Sequence, residues 1–429
     1  MTDVLSASSA ENLTLAQFRG RAYMSAVASK VFVAVVWIWV FSGGLVFFEP
    51  SLYEVLFLLT LGMMVAVRMP LFPSTLPLLG LIIPFSIFAT IAAFQVRHAP
   101  LTDALIFNAV TIYLFLTSFF VANFIADAPE KRLAVIRNAY VAIAIVSAAI
   151  GILAYLRLMP NADMFLRYDR AKAMFKDPNV YGPFLVLPAM MVLRELFFQR
   201  KGQLVSGAIV LLIMLGVFVS FSRAAWGHFA ASAFLVFVLC FLLEAKARIQ
   251  VRMLTIAIIG SILVVVMLAG LLSVPEVREF FELRTMSQDY DTGESGRFGR
   301  QGYAFDLALD HPLGLGPTEF TYLEISEQPH NTYVTVLHGY GWGGGLIYYF
   351  LVALTFWRGL IGLRDRERRG LLIPVFAVFI PLALQSAIID TDHWRHYFLV
   401  VGLIWGITTH SAPPRHGVLA RTHSATPMA

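Results

Sequence analysis

Charge is what this chain most lacks. Only 14% of its 429 residues are Asp, Glu, Lys or Arg, where a soluble domain carries about a quarter. A water-covered globule of this length is therefore excluded. Cysteine is nearly missing too: Cys240 stands alone inside an apolar run, so no internal disulfide forms and the redox compartment stays open. The apolar runs are continuous rather than alternating, which excludes an outer-membrane barrel. No internal repeat marks an inverted-repeat transporter, and no segment is of low complexity. Lys and Arg outnumber Asp and Glu by 32 to 27, but they are scattered among short loops and form no nucleic-acid patch.

What is present is apolar length. The composition is 58% hydrophobic, with a mean hydropathy of +0.73. Runs such as Met253–Ser273 and Ala224–Leu243 are long enough to cross a hydrocarbon core of about 30 Å. The expectation is an all-α polytopic integral membrane protein with about 12 transmembrane helices. Residues 1–28 read as a polar tail without the form of a cleavable signal peptide. Helices one to nine fall within 29–273, near 29–48, 52–67, 75–95, 104–126, 133–155, 181–198, 204–221, 224–243 and 253–273. A long polar loop, 274–330, follows. Helices ten to twelve fall within 331–410, near 331–357, 371–389 and 396–410, and 411–429 is a second tail.

Lys and Arg set the orientation. With the amino terminus in the cytoplasm and strict alternation, 20 of the 32 basic residues lie on the inner side. Nine of the other 12 fall in 156–180 and 274–330, the two longest outer segments, where the positive-inside rule is weak. Both termini are expected in the cytoplasm.

Five groups of polar residues then gather on the outer face. Arg167, Arg170 and Lys172 precede Phe175-Lys176-Asp177-Pro178-Asn179, a turn in which the proline forces Asp177 to be extended. The helix that starts there offers free N–H groups to an anion, although a well-capped basic loop explains the same residues. Ser222-Arg223 joins two spans with almost no linker, so Arg223 is either a functional charge at the membrane boundary or an interfacial anchor. Arg297 and Arg300 match the fork geometry of phosphate oxygens, or the solvated face of a surface helix. His330-Asn331 with Tyr333 marks the junction of loop and span, where a histidine serves as a general base or as a structural group. The glycines at 339, 341 and 343–345 allow close packing or a kink beneath it. Asp390, Asp392, His393 and His396 surround Trp394 in the last outer loop. Their spacing fits no strong zinc signature, and a polar rim that meets glycan through Trp394 suits them better.

Taken in order from about 167 to 350, these motifs resemble the O-antigen ligase/polymerase family of bacterial membrane glycosyltransferases. The matching pieces are Phe175–Asn179, Ser222-Arg223, Arg297/Arg300, Pro312-Leu313-Gly314-Leu315-Gly316 and His330-Asn331-x-Tyr333 with downstream glycines. One departure is His338, where such proteins often carry an acidic residue, and His338 is not taken as a site residue. The resemblance implies a GT-C-like fold with a large helical periplasmic loop in the bacterial inner membrane. It implies a metal-independent transfer, without cofactor, from an undecaprenyl-diphosphate-linked glycan donor to a glycan or lipid-linked acceptor. Membrane lipids and other polysaccharide export and assembly proteins are the expected partners. Carried onto this chain, His330 is the catalytic residue and Arg223, Arg297 and Arg300 bind the diphosphate. Arg170, Asn331 and Tyr333 are further substrate contacts.

The leading expectation is polymerisation of an exopolysaccharide or O-antigen, because the loop of 57 residues at 274–330 is compact. An O-antigen ligase that moves the finished glycan to lipid A-core or another acceptor is the alternative. A lipid-linked-sugar flippase or other transporter is the alternative of a different class. A transporter places ionisable groups deep in its spans, whereas here they gather at the outer face.

Overall fold

The computed structural model describes residues 27–48, 50–285, 296–323 and 327–410. The expected tail at 411–429 lies outside the described residues, as does nearly all of that at 1–28. The chain is an all-α polytopic membrane protein. Among the described residues, seven helices are long and apolar enough to cross a membrane, and five shorter apolar helices join them. Each corresponds to one of the twelve spans read from hydropathy.

The helices run in chain order as α1 (Val27–Ser42), α2 (Leu52–Ala66), α3 (Leu76–Ala93), α4 (Leu101–Asp127) and α5 (Pro129–Tyr155). A short hairpin of β1 (Leu166–Arg167) and β2 (Arg170–Ala171) leads to α6 (Pro178–Phe184) and α7 (Val186–Phe198), which together make one span. Next come α8 (Gln203–Val219), α9 (Arg223–Leu243) and α10 (Ala247–Leu272). The long loop contains α11 (Pro275–Thr285) and α12 (Arg297–Asp310). The chain closes with α13 (Thr332–Gly362), α14 (Arg369–Gln385) and α15 (Arg395–Ile407).

Local chemistry sets the starts of these helices. Ser51 caps α2 in a reciprocal pair with Glu54. Asp177 is extended (φ −141°, ψ 136°), as the following proline requires, and its carboxylate accepts from the Asn179 amide to open α6. Ser222 caps α9. The β1–β2 turn has no glycine, yet Tyr168 and Asp169 both take positive φ (52° and 54°), the twist of a two-residue hairpin. Proline occurs within α3 and α14, which membrane helices tolerate where neighbouring groups re-satisfy the freed carbonyls.

Burial sorts the bundle. In α15 nearly every residue is buried and in α14 most are, and α15 packs along α4 while α14 packs along α9. At the opposite extreme, α10 buries only Met253. The interior is less purely apolar than the span composition suggests. His228 of α9 is buried and donates from Nε2 to the Val378 carbonyl, 3.1 Å away, and the buried His396 packs between Phe184 and Trp394.

Two devices fasten the long loop to the bundle. The Glu319 carboxylate accepts the consecutive amides of Arg97, His98 and Ala99 at 2.9–3.1 Å, and His98 Nδ1 lies 2.6 Å from it. Burial alone raises the pKa of Glu319, but these bonds outweigh it and hold the carboxyl below its usual value. The second device is a break in α13. Gly341 has φ 70° and ψ 179°, a conformation open to glycine, and the Pro312–Gly314 turn enters the gap. Trp342 N–H donates to Pro312 O at 2.9 Å, and Leu315 N–H to His338 O at 2.8 Å.

Candidate functional site

The site is built around the α8–α9 turn. Phe221 takes a left-handed backbone (φ 46°), which reverses the chain within two residues, and Arg223 becomes the first residue of α9. Gly182 of α6 allows this turn to approach: a Cβ there would lie 2.6 Å from the Ala225 Cβ and 2.9 Å from Ser220 Oγ. Arg170, buried on β2, locks the arrangement. Its Nε donates to Ser220 O and its Nη2 to Asn179 Oδ1, each at 2.8 Å. An aromatic stack of Phe218, Trp226 and Phe281 braces the outer side of the turn and reaches α11.

These elements form one wall of a cleft of about 870 Å³. Arg167, Arg170, Arg223 and Arg297 line it together with His330, although they come from four separate stretches of sequence. Asp177 and Glu327 are its acidic residues. Four arginines against two carboxylates leave a formal charge of +2 with His330 neutral. Arg167 pairs with Asp177, 3.2 Å away, and Glu327 with Arg300. Nearby, partial burial and then the charge of Arg167 hold Lys172 below its usual value.

His330 lines the same cleft and has a left-handed backbone (φ 54°). Its Nδ1 lies 3.1 Å from Asp390 Oδ2. Because a carboxylate only accepts, Nδ1 carries the proton and donates, and Nε2 keeps its lone pair. Asp390 is itself held by Thr335, whose hydroxyl donates to Oδ1 at 3.0 Å. This chain of base and orienting acid has the geometry of general-base catalysis.

The remaining candidates have other positions. Arg300, one turn after Arg297, is buried and ion-paired with Glu327 at 2.6 Å; it lies behind the cleft wall and not on it. Asn331 caps α13, its Oδ1 accepting from the Tyr333 and Val334 amides. Tyr333 donates its hydroxyl to Ala383 O at 2.6 Å and ties α13 to α14. Sequence reasoning missed Asp390 as the partner of His330. The two are 60 residues apart and no spacing rule connects them; the sole signal was that both were expected at loop–span junctions on the same face. Among the described residues no group of three or more His, Cys, Asp or Glu could hold a metal ion.

No curated protein matches the chain. Residues 208–349 match the family model described as O-Antigen ligase, a stretch that contains Arg223, Arg297, Arg300 and His330 and ends before Asp390. The ordered motifs, the all-α membrane bundle and this match support assignment of the chain to the O-antigen ligase/polymerase family.

Proposed function

We propose that the chain is a glycosyltransferase that joins polyprenyl-diphosphate-linked oligosaccharide repeat units at the periplasmic face of the bacterial inner membrane, polymerising an exopolysaccharide or O-antigen. Both termini are cytoplasmic in this reading, which rests on the Lys/Arg distribution. The observation that carries it is the convergence of Arg170, Arg223, Arg297 and the His330–Asp390 pair on one cleft. A cationic wall facing a histidine base suits displacement of an anionic leaving group by a hydroxyl.

In this mechanism the diphosphate lies against Arg223 and Arg297. The acceptor hydroxyl attacks the anomeric carbon, a new carbon–oxygen bond forms, and the bond to the diphosphate oxygen breaks with its electron pair. Polyprenyl diphosphate departs, and the hydroxyl proton passes to His330 Nε2. Asp390 steadies the imidazolium that results. Attack from the side opposite the leaving group inverts the anomeric centre. Arginines at the developing anion supply the electrostatic stabilisation, where loss of one aimed donor costs about 10²–10³ in rate. Arg170 and Arg300 act as positioning residues, the first through the α8–α9 turn and the second through Glu327. Asn331 and Tyr333 hold the start of α13, which sets where His330 stands.

Purified protein supplied with lipid-linked repeat units, with and without a lipid A-core acceptor, tests the reading. A ladder of lengthening glycan formed without the second acceptor supports polymerisation. Single transfer that requires lipid A-core assigns a ligase, and uptake without covalent change assigns a transporter.

A further inference from the structure

Behind the His330–Asp390 pair lies a second, smaller chamber of about 180 Å³. It has room for on the order of ten water-sized groups, comparable to one pyranose ring. Gln328 lines both spaces, and Asp390, bonded to His330, lines the chamber. No Lys or Arg is among its lining residues, and two carboxylates are, so a diphosphate has no place in it. Its walls instead combine aromatic and hydrogen-bonding surface. His393 stacks on Phe107 with ring centres 3.9 Å apart and bonds Thr111 through Nε2 at 2.7 Å. Trp394 adds a second aromatic surface.

The feature that marks the chamber as built for a ligand is His338. It is 3% exposed, lines the chamber, and among the described residues has no hydrogen-bond partner on either ring nitrogen. An unsatisfied buried polar group costs about 1–3 kcal/mol, and here one faces a cavity with space for a partner. The break at Gly341 fixes its place, because the loop takes the His338 carbonyl through Leu315 N–H.

We infer that this chamber is a sugar-ring subsite, in which His338, Asp390, Asp392 and Gln328 hold the hydroxyl edge of the acceptor glycan's terminal residue while Phe107 and Trp394 cover its apolar face. A pyranose has this division: C–H groups on its faces and hydroxyls around its rim, which suit aromatic and carboxylate partners respectively. Identification of the ring as the acceptor's rests on the glycosyl-transfer reading. An in-line displacement places the incoming hydroxyl opposite the leaving diphosphate, and the chamber lies on the His330–Asp390 side of the cleft rather than on that of Arg223. Burial, and then the charge of Asp390, push Asp392 up to about 7, so near neutrality it can both accept and donate to hydroxyls.

Gly339 supplies a direct test. It is buried and lines the chamber, and a Cβ built there meets nothing within 4 Å, so larger side chains at 339 grow into the chamber. Full-length protein in nanodiscs is examined by saturation-transfer NMR with free glucose, galactose, N-acetylglucosamine and glucuronic acid. Transfer to at least one sugar is expected, weakened in Gly339→Ala, abolished in Gly339→Leu and His338→Leu, and retained in Arg223→Ala; each variant must keep the thermal midpoint of a folded protein. If Gly339→Leu unfolds, the Gly339→Ala decrease and the His338→Leu loss decide. Absence of transfer from all four sugars, transfer that survives Gly339→Leu, or transfer lost in Arg223→Ala would each overturn the subsite. With lipid-linked donor and glycan acceptor, Gly339→Ala should raise the acceptor KM by at least about tenfold with donor KM unchanged; an equal rise in both also overturns it. Sugar binding that responds to residue 339 in a protein inactive on lipid-linked glycan would leave the subsite standing and remove the glycosyltransferase reading instead.

Discussion

At the scale of single residues, the His330–Asp390 pair is the sharpest point of the structure. His330→Ala should leave a folded protein and lower glycan extension by about 10²–10⁴-fold, the usual contribution of a positioned base. Glycan ladders from cells without another copy read this directly, and normal chain lengths would remove the catalytic role. Asp390→Asn keeps the shape but loses the carboxylate that fixes the Nδ1 proton, so activity should fall without loss of stability. Arg223→Lys retains charge and loses the fork, and a fall of at least about tenfold is expected; full activity would make Arg223 an anchor. Asp392 yields a pH signature. Burial and then the charge of Asp390 push its native carboxyl up to about 7, above the unfolded value of 3.8. The native state thus holds the proton more tightly, and the group's stabilising contribution, complete below about pH 4, is lost as pH rises through 7. Asp392→Asn, which mimics the protonated acid, should flatten the thermal midpoint between pH 4 and 8 and be the more stable form at pH 8. Of this site, the residue types were legible beforehand and their partnerships were not. Arg223 stood out because charge at a membrane boundary is costly, Arg297 because its fork matches phosphate oxygens, and His330 as a base at the junction of loop and span. Arg300 looked equivalent to Arg297 because both lie on one short helix, but Arg300 is buried against Glu327 and off the cleft lining.

At the scale of elements, short-range chemistry explains what could be read and long-range pairing what could not. The twelve apolar helices, seven of them long enough to cross a membrane, follow from apolar length, and the extended Asp177 follows from Pro178. The β1–β2 hairpin gave no advance sign, because Tyr168-Asp169 lacks the glycine or asparagine that flags such turns. The glycines after His338 were readable as a kink or a close contact, and α13 contains both. At Gly341 a Cβ would lie 2.6 Å from Leu313 C and 2.7 Å from Pro312 O, and its φ of 70° disfavours any side chain. Gly341→Ala should therefore cost at least about 1–3 kcal/mol and displace His338, seen as a lower thermal midpoint in detergent. An unchanged midpoint would mean that the Pro312–Gly314 turn yields easily.

At the scale of the whole molecule, the contrast between α10 and the rest has a consequence for the setting in which the protein works. Its 26 residues rise about 39 Å at 1.5 Å each, more than the roughly 30 Å of hydrocarbon they must match. Few protein neighbours restrain it, so its tilt follows the thickness of the surrounding lipid. Just beyond its end, α11 brings Phe280 and Phe281 against Phe221 and Trp226, next to Arg223. A change in α10 tilt would be passed through α11 to the arginine wall of the cleft. Reconstitution in bilayers of fourteen-carbon and eighteen-carbon lipids should give different turnover, and shortening α10 by one turn should move the optimum toward thinner membranes. In this chain the bilayer is a gauge as well as a solvent.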